Sequence, residues 1–267
     1  MSQENYMWSD QKDEIERTRL TLLEGAYDPN TIRQLETLEV SKGWTCLEVG
    51  TGGGSIAQWL AKRVGPSGKV VATDVDTRFL RHLAIPNLEA REHNIITDEL
   101  ETGAYDLVHA RLVLMHLPEP VKALRRMADA LRPGGWLFIE DFDFGSLLSS
   151  HLSDPSFDTT MAIFRNTLEL LHKQGTLDPY FGRRERTLVE QLGFFDIDHQ
   201  GWTRVFRGGE PLARYNSIVV QYLKQPVLSA ALCTLEQYEH LERQLLDPSV
   251  IWIDNTVFGA WGRKRLA

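Results

Sequence analysis

The chain has 267 residues, 42% of them hydrophobic and 25% charged, an ordinary globular composition that excludes collagen-like, low-complexity and wholly disordered classes. Asp and Glu outnumber Lys and Arg by 37 to 29, a net charge of −8. A chain this acidic is repelled at long range by a phosphate backbone, so nucleic acid is not an expected partner.

The first residues, through Asp10-Gln11-Lys12-Asp13-Glu14, lack the apolar core of a signal peptide, and no apolar run reaches the roughly 20 residues of a membrane span. The expectation is a soluble, cytoplasmic protein with no membrane partner. From Asp10 to Glu39 the pattern is helical, with Ile15, Leu20, Leu22 and Leu23, then Ile32, Leu35 and Leu38 after a break at Tyr27-Asp28-Pro29-Asn30. Residues 1–40 read as an N-terminal helical cap.

A core over 41–144 follows. Trp44 to Val49 is a short apolar strand whose Cys46 reads as a small buried hydrophobe. With Cys233 the only other cysteine, neither a disulfide scaffold nor a cysteine-rich metal site is available, and no metal is expected. The strand runs into Gly50-Thr51-Gly52-Gly53-Gly54. Ile56, Trp59, Leu60 and Val64 then share one helical face, which Gly65-Pro66-Ser67-Gly68 ends. Lys69 to Thr73 is a second strand, closed by Asp74 and followed by a predicted helix carrying Phe79, Leu80 and Leu83. Asn87 to Glu92 and Tyr105 to Ala110 read as strands. Val121, Leu124, Ala128 and Leu131 form a helical face closed by Arg132-Pro133-Gly134-Gly135, and Trp136 to Glu140 is a fifth strand. Strand and helix in alternation predict parallel βαβ units with right-handed crossovers. Residues 145–192 read as a helical lid with Met161, Phe164, Leu168 and Leu171 on one face. Residues 193–267 supply further strands, Phe194 to His199 and Val250 to Gly262, around inserted helices at 211–246.

The chemistry centres on the glycine-rich bend. Glycines let the backbone leave the strand sharply and approach a ligand with no Cβ in the way. Asp74 lies 20 residues beyond Gly54, the spacing at which an acid at the second strand's tip accepts ribose hydroxyls. Two nucleotide classes share this layout. A nicotinamide-type Gly-x-Gly-x-x-Gly fingerprint counted from Gly50 needs a third glycine where Ser55 stands. Glu48, two residues before Gly50, would oppose a pyrophosphate but attract a sulfonium and an ammonium group. A cationic sulfur nucleoside therefore suits this bend better than NAD.

Glu48-Val49-Gly50-Thr51-Gly52-Gly53-Gly54, Asp74, the block from Tyr105 to His116 and Leu131 to Trp136 resemble class I S-adenosylmethionine (SAM)-dependent methyltransferases, most closely the small-molecule and quinone-type group. The resemblance spans roughly residues 40–142, with a weaker echo at Ala260 to Lys264. It implies an α/β, Rossmann-like seven-stranded sheet in the order 3-2-1-4-5-7-6, its last strand antiparallel, flanked by helices. It also implies SAM as cofactor, with S-adenosylhomocysteine (SAH) as product. Carried over residue by residue, Glu48, Gly50, Thr51 and Gly52 would surround the methionine part, Asp74 the ribose, Val75 and Ile95 the adenine, and Ala110 and Arg111 the methionine end. Asn94 stands where family members carry an Asp that contacts the adenine amine, so that hydrogen bond would lack charge assistance.

Other positions read two ways. His116 is either a core histidine or a general base facing the methyl acceptor. Arg111 is either a cofactor contact or a structural salt bridge. Glu140, Asp141 and Asp143, at the fifth strand's carboxyl end, would orient a substrate amine or hydroxyl or simply be solvated. His93 and His109 are assigned no role. The signature of amino-directed nucleic-acid methyltransferases and the twin glutamates of arginine methyltransferases are absent, and Arg111 is the wrong charge for a magnesium-dependent catechol site. The expected acceptor is a small apolar or aromatic molecule under a lid holding Tyr6, Trp8, Phe157, Phe164, Tyr180, Phe181, Tyr215 and Tyr222. Two alternatives stay open: a SAM-fold protein that binds the cofactor without methylating, as a cyclase or regulator, and an NAD(P)-dependent oxidoreductase. The acceptor atom and the oligomeric state, a homodimer included, are not specified by the sequence.

Overall fold

Alternating apolar stretches and amphipathic segments build the first half of the chain, which begins with helix α1 (Asp13–Thr37). Strand β1 (Thr45–Val49), helix α2 (Ser55–Val64), β2 (Lys69–Asp74), β3 (Leu88–Glu92), β4 (Tyr105–Arg111), α3 (Pro120–Ala130) and β5 (Leu131–Asp143) follow. The second half adds β6 (Leu148–Ser149), α4 (Pro155–Lys173), α5 (Glu185–Gln191), β7 (Phe195–Trp202), β8 (Val205–Arg207), α6 (Pro211–Ser229), α7 (Leu235–Leu246), β9 (Ile251–Ile253) and β10 (Thr256–Arg263). These elements come from a computed structural model that describes residues 13–80, 83–149 and 155–266.

Seven strands form one sheet in the order β3-β2-β1-β4-β5-β10-β7. Strands β1 to β5 are parallel, and β10 runs antiparallel to both its neighbours. Counted along the chain within this sheet, the order is 3-2-1-4-5-7-6, as the resemblance implied. Alternation along each strand feeds two cores. Cys46, Val70, Leu107 and Phe138 pack with Ile56, Leu60 and Val64 of α2 on one side. Leu47, Val71, Val108 and Ile139 pack with Leu124 and Met127 of α3 on the other.

Four local expectations change. The break at Tyr27-Asp28-Pro29-Asn30 does not occur, and α1 runs through Pro29. A proline removes one backbone donor, and here its neighbours are pinned from outside the helix: Tyr27 donates to Asp254 Oδ2 at 2.8 Å, and Asp28 and Thr31 accept from Arg111. The helix expected to carry Phe79, Leu80 and Leu83 is a turn in the described residues, with Leu80 N bonded to Thr77 O and Leu83 N to Leu80 O. Strand β5 starts at Leu131, and Arg132 to Gly135 form a bulge within it. Gly134 adopts φ +77° there, and Lys264 laces the bulge through its amide, its carbonyl and an ammonium bond to Leu131 O. A second, three-stranded sheet, β6-β9-β8, was not visible in the sequence.

Candidate functional site

A cavity of about 600 Å³ opens at the carboxyl ends of the central strands, where open α/β sheets bind ligands. Its wall includes the bend from Gly50 to Gly53 together with Glu48, Asp74, Val75, Asn94 and Ile95. The same cavity is walled by apolar side chains of α4 and α6, among them Ile163, Phe164, Leu168, Val220 and Leu223, and by Arg19, Leu20, Leu23 and Glu24 of α1.

The bend is held open by its glycines and by one carboxylate. Gly50, Gly52 and Gly54 have φ of +68°, +55° and +88°, the left-handed region that side chains disfavour. A Cβ at Gly50 would lie 2.3 Å from Val113 Cγ2, and one at Gly53 would lie 2.3 Å from Glu24 Oε1. The Gly50 and Thr51 amides donate to Thr73 O at 2.8 and 3.1 Å. Asp74 accepts from Gly52 N at 2.9 Å and from Asp76 N at 3.0 Å. Enclosure by protein pushes its carboxyl up to about 6, against the pull of those backbone donors. A carboxylate has about four acceptor sites, so Asp74 retains capacity for a ligand.

Glu48 is buried on the cavity wall, and its Oε2 lies 2.8 Å from Nδ1 of His109. The other ring nitrogen lies 3.0 Å from Glu140 Oε2. Sequence reasoning gave His109 no role and sent Glu140 to the substrate; instead Glu140 turns into the sheet and grips the ring. Asp141 is likewise buried off the cavity wall, accepting from Met115 N at 3.3 Å. Burial raises both Asp141 and the adjoining Glu185 well above the usual carboxylate range. Asp143 pairs with Arg183 at 2.5 and 2.7 Å. These three acids therefore serve the scaffold beneath the cavity rather than its wall.

Arg111 lines the cavity and ties the cap to the sheet, donating to Asp28 Oδ1 at 2.7 Å and Thr31 Oγ1 at 2.9 Å. Ser55, opening α2, reaches the same Asp28 oxygen at 3.1 Å. Ala110 packs in the core and does not line the cavity. Asn94 folds its own loop: its Oδ1 accepts from Ile96 N at 3.0 Å, and its backbone N–H donates to Asp98 Oδ2 at 2.8 Å.

His116 lines the cavity and is otherwise surrounded by protein. Burial lowers its ring to about 4, and the charge of Arg19 adds to that, so the imidazole is neutral at pH 7. Of the expected lid aromatics, Phe164 and Tyr215 line the cavity. Phe157, Tyr180, Phe181 and Tyr222 do not, and Tyr6 and Trp8 lie outside the described residues. Phe142, Phe144 and Tyr238, which sequence reasoning passed over, do line it. Two further groups were missed. Arg19 and Glu16 form a buried two-point pair at 2.7 Å in α1, signalled in sequence only by charges three apart on a helix. Asn255 lines the cavity at 6% exposure with an Oδ1 that has no partner; nothing in the sequence distinguishes it.

The wall chemistry fits a nucleoside with a cationic amino-acid tail: the three carboxylates of Glu24, Glu48 and Asp74, side-chain amides such as Asn94 and Asn255, and the apolar faces of Val75 and Ile95 beside a bend that a Cβ would fill. Among the described residues no group of three or more His, Cys, Asp or Glu could hold a metal ion, and no helix is long and apolar enough to cross a membrane.

The methyltransferase-domain family matches residues 7–207. The chain is 28% identical over 179 residues to methyltransferase str2 of Strobilurus tenacellus, covering 67% of this chain and 63% of that one. It is 30% identical over 132 residues to the ubiquinone biosynthesis O-methyltransferase of Albidiferax ferrireducens, covering 43% and 50%. The Haemonchus contortus phosphoethanolamine N-methyltransferase 2, solved with phosphomonomethylethanolamine and SAH, superposes with a TM-score of 0.60 at 16% identity over 100% of this chain and 61% of that one; the likeness is one of fold. The chain spans about half to two thirds of the length of the curated relatives it matches.

Proposed function

Because this chain belongs to the methyltransferase-domain family, we propose that it binds SAM at the glycine-rich bend and transfers the methyl group, in line, to a small apolar or aromatic organic acceptor. What supports this most directly is the continuity of the cavity: Glu48, Asp74 and the bend share one volume with the apolar side chains of α4 and α6.

In this proposal the carboxylate of Glu48 holds the α-ammonium group, and Gly50, Thr51 and Gly52 leave room for the methionine part. Asp74 accepts the ribose hydroxyls with the lone pairs its backbone donors leave over. Val75 and Ile95 cover the adenine, and Asn94 accepts from its amine with a second lone pair. Arg111 acts at the methionine end by fixing the cap over the bend. When bound, SAM supplies a methyl group on a good leaving group, so the chain's own task is to align the acceptor and exclude water. Phe142, Phe164 and Leu223 orient an apolar acceptor, and Asn255 meets its polar group. His116, neutral at pH 7, accepts a hydrogen bond from an acceptor hydroxyl or amine; with so strong a conjugate acid, it orients that group, and the proton displaced on methylation passes to solvent. We assign residues 1–40 as the cap, 41–144 as the SAM-binding core, 145–192 as the lid, and 193–267 as the segment completing the sheet around helices 211–246.

The test combines calorimetry with SAH and incubation with methyl-labelled SAM plus an extract of the source organism, followed by mass spectrometry. We expect SAH binding and label in an organic-extractable small molecule. Absence of SAH binding defeats the cofactor assignment. Binding with no transfer defeats the enzymatic one, and label confined to macromolecules defeats the acceptor class.

A further inference from the structure

Three ionisable side chains form one hydrogen-bonded row across three adjacent strands, beneath the glycine-rich bend, although Glu140 itself pairs in register with Arg111. Glu48 on β1 and His109 on β4 are register partners, and Glu140 stands on the next strand, β5. His109 and Glu140 are fully buried, and Glu48 is 3% exposed. The imidazole bridges the two acids at 2.8 Å through Nδ1 and 3.0 Å through Nε2. The ring of Phe138 lies against it, with centroids 4.9 Å apart, which limits its rotation.

A neutral imidazole carries a single N–H and cannot donate to two carboxylates. The row therefore holds one proton more than a neutral ring and two carboxylates would. Burial opposes charge on the ring, but the two glutamates outweigh it and lift His109 to about 9. Only one member, Glu48, reaches the cavity wall. The ring takes Oε2 of that carboxylate, so Oε1 is the oxygen it can offer to a ligand cation.

We propose that His109 is the positioning residue of the cofactor's ammonium subsite: its Nδ1–H fixes Glu48 in the orientation that meets the ammonium group, and Glu140, behind it, fixes the ring. The role rests on the reading above in which Glu48 faces the amino-acid tail of SAM. Its value is preorganisation, since a carboxylate already held in place loses little rotamer freedom on binding.

Two conservative variants separate the two ring nitrogens. An asparagine amide sits where Nδ1 does and can still donate to Glu48. A glutamine amide reaches the place of Nε2 and can serve Glu140 only. Affinities for SAH are to be measured by calorimetry, with adenosine as a probe that shares the nucleoside but lacks the amino-acid tail. His109→Gln is expected to weaken SAH about tenfold or more while adenosine stays within about twofold, and His109→Asn is expected to keep SAH within about threefold of wild type. Equal losses for SAH and adenosine, or equal losses in both variants, overturn the positioning role. Wild-type protein that binds no SAH overturns the underlying cofactor reading instead, whereas normal SAH binding by His109→Gln overturns only the role of His109. Should the variants not fold, wild-type protein labelled with 15N-histidine decides. The His109 Nδ1 resonance is expected to move on adding SAH and to stay with adenosine, and an equal response to both counts against the proposal.

Discussion

Placing a methyl group at Gly50 (Gly50→Ala) attacks the bend at its tightest point. The residue sits at φ +68°, where an L side chain costs roughly 1–2 kcal/mol. Its new Cβ would lie 2.3 Å from Val113 Cγ2 and 3.4 Å from both Val113 Cβ and Cγ1, so the valine must leave its rotamer well, at a further cost of order 1 kcal/mol. Together these give about 2–3 kcal/mol, which in a chain of this size lowers Tm by about 4–12 °C. Urea denaturation followed by circular dichroism measures the cost in Gly50→Ala, Val113→Ala and the double variant. Val113→Ala removes the colliding methyl groups, so the double variant should be about 1 kcal/mol more stable than additivity predicts, leaving the backbone strain behind. SAH affinity should fall in Gly50→Ala and recover partly in the double variant. Strict additivity, or a Gly50→Ala cost below about 0.5 kcal/mol, would refute both the left-handed geometry and the packing of the bend against Val113.

Asp74→Ala should weaken SAH by about 1.5–3 kcal/mol, because the ribose loses its acceptor and Gly52 N its partner. In wild type the affinity should decline as pH falls through about 6, where the carboxyl takes a proton, and calorimetry at pH 5 and 7.5 checks both. His116 titrates near 4 when folded against about 6.5 unfolded; the folded form refuses a proton the unfolded chain accepts, so this contribution is present above 6.5 and lost as pH falls toward 4. Acidification from pH 7 to 4.5 should therefore cost wild type up to about 2.4 kcal/mol more than His116→Gln, and equal losses in urea titrations would show that the ring is not desolvated. Arg111→Ala leaves Asp28 and Thr31 without their sheet anchor, so stability should fall by about 2–4 kcal/mol with faster proteolysis within α1; an unchanged digestion pattern would mean the cap is held by other contacts. Asn255→Leu removes a buried oxygen that has no partner and should raise stability by about 0.5–2 kcal/mol while lowering turnover of hydroxyl-bearing acceptors, and a drop in Tm would count against the orphaned amide.

The alternation of apolar strands with amphipathic helices, the glycine-rich bend and Asp74 at the next strand's tip were all legible in the sequence. Each is local: a strand's face repeats every second residue, a helix face every three to four, and a left-handed turn declares itself by glycine. Those patterns specified the five parallel strands and the bend that, with Asp74, lines the cavity. They misjudged Pro29, which an isolated helix would not tolerate but which Asp28 and Thr31, bonded to Arg111, hold within α1.

What lay beyond the sequence was which side chains meet. His109 reaches Glu48 across 61 residues of chain, and Arg111 reaches Asp28 across 83. Both contacts exist only because β4 lies beside β1 in one register and α1 folds back over the sheet. Glu140 and Asp141 stood at the expected end of the expected strand, yet the packing of β5 against its neighbours turned both inward. Residue spacing sets backbone geometry over one turn or one strand; the partners of a buried charge are decided by strand order and helix packing, because only the folded chain removes water from that charge and leaves it the few neighbours that packing brings within reach.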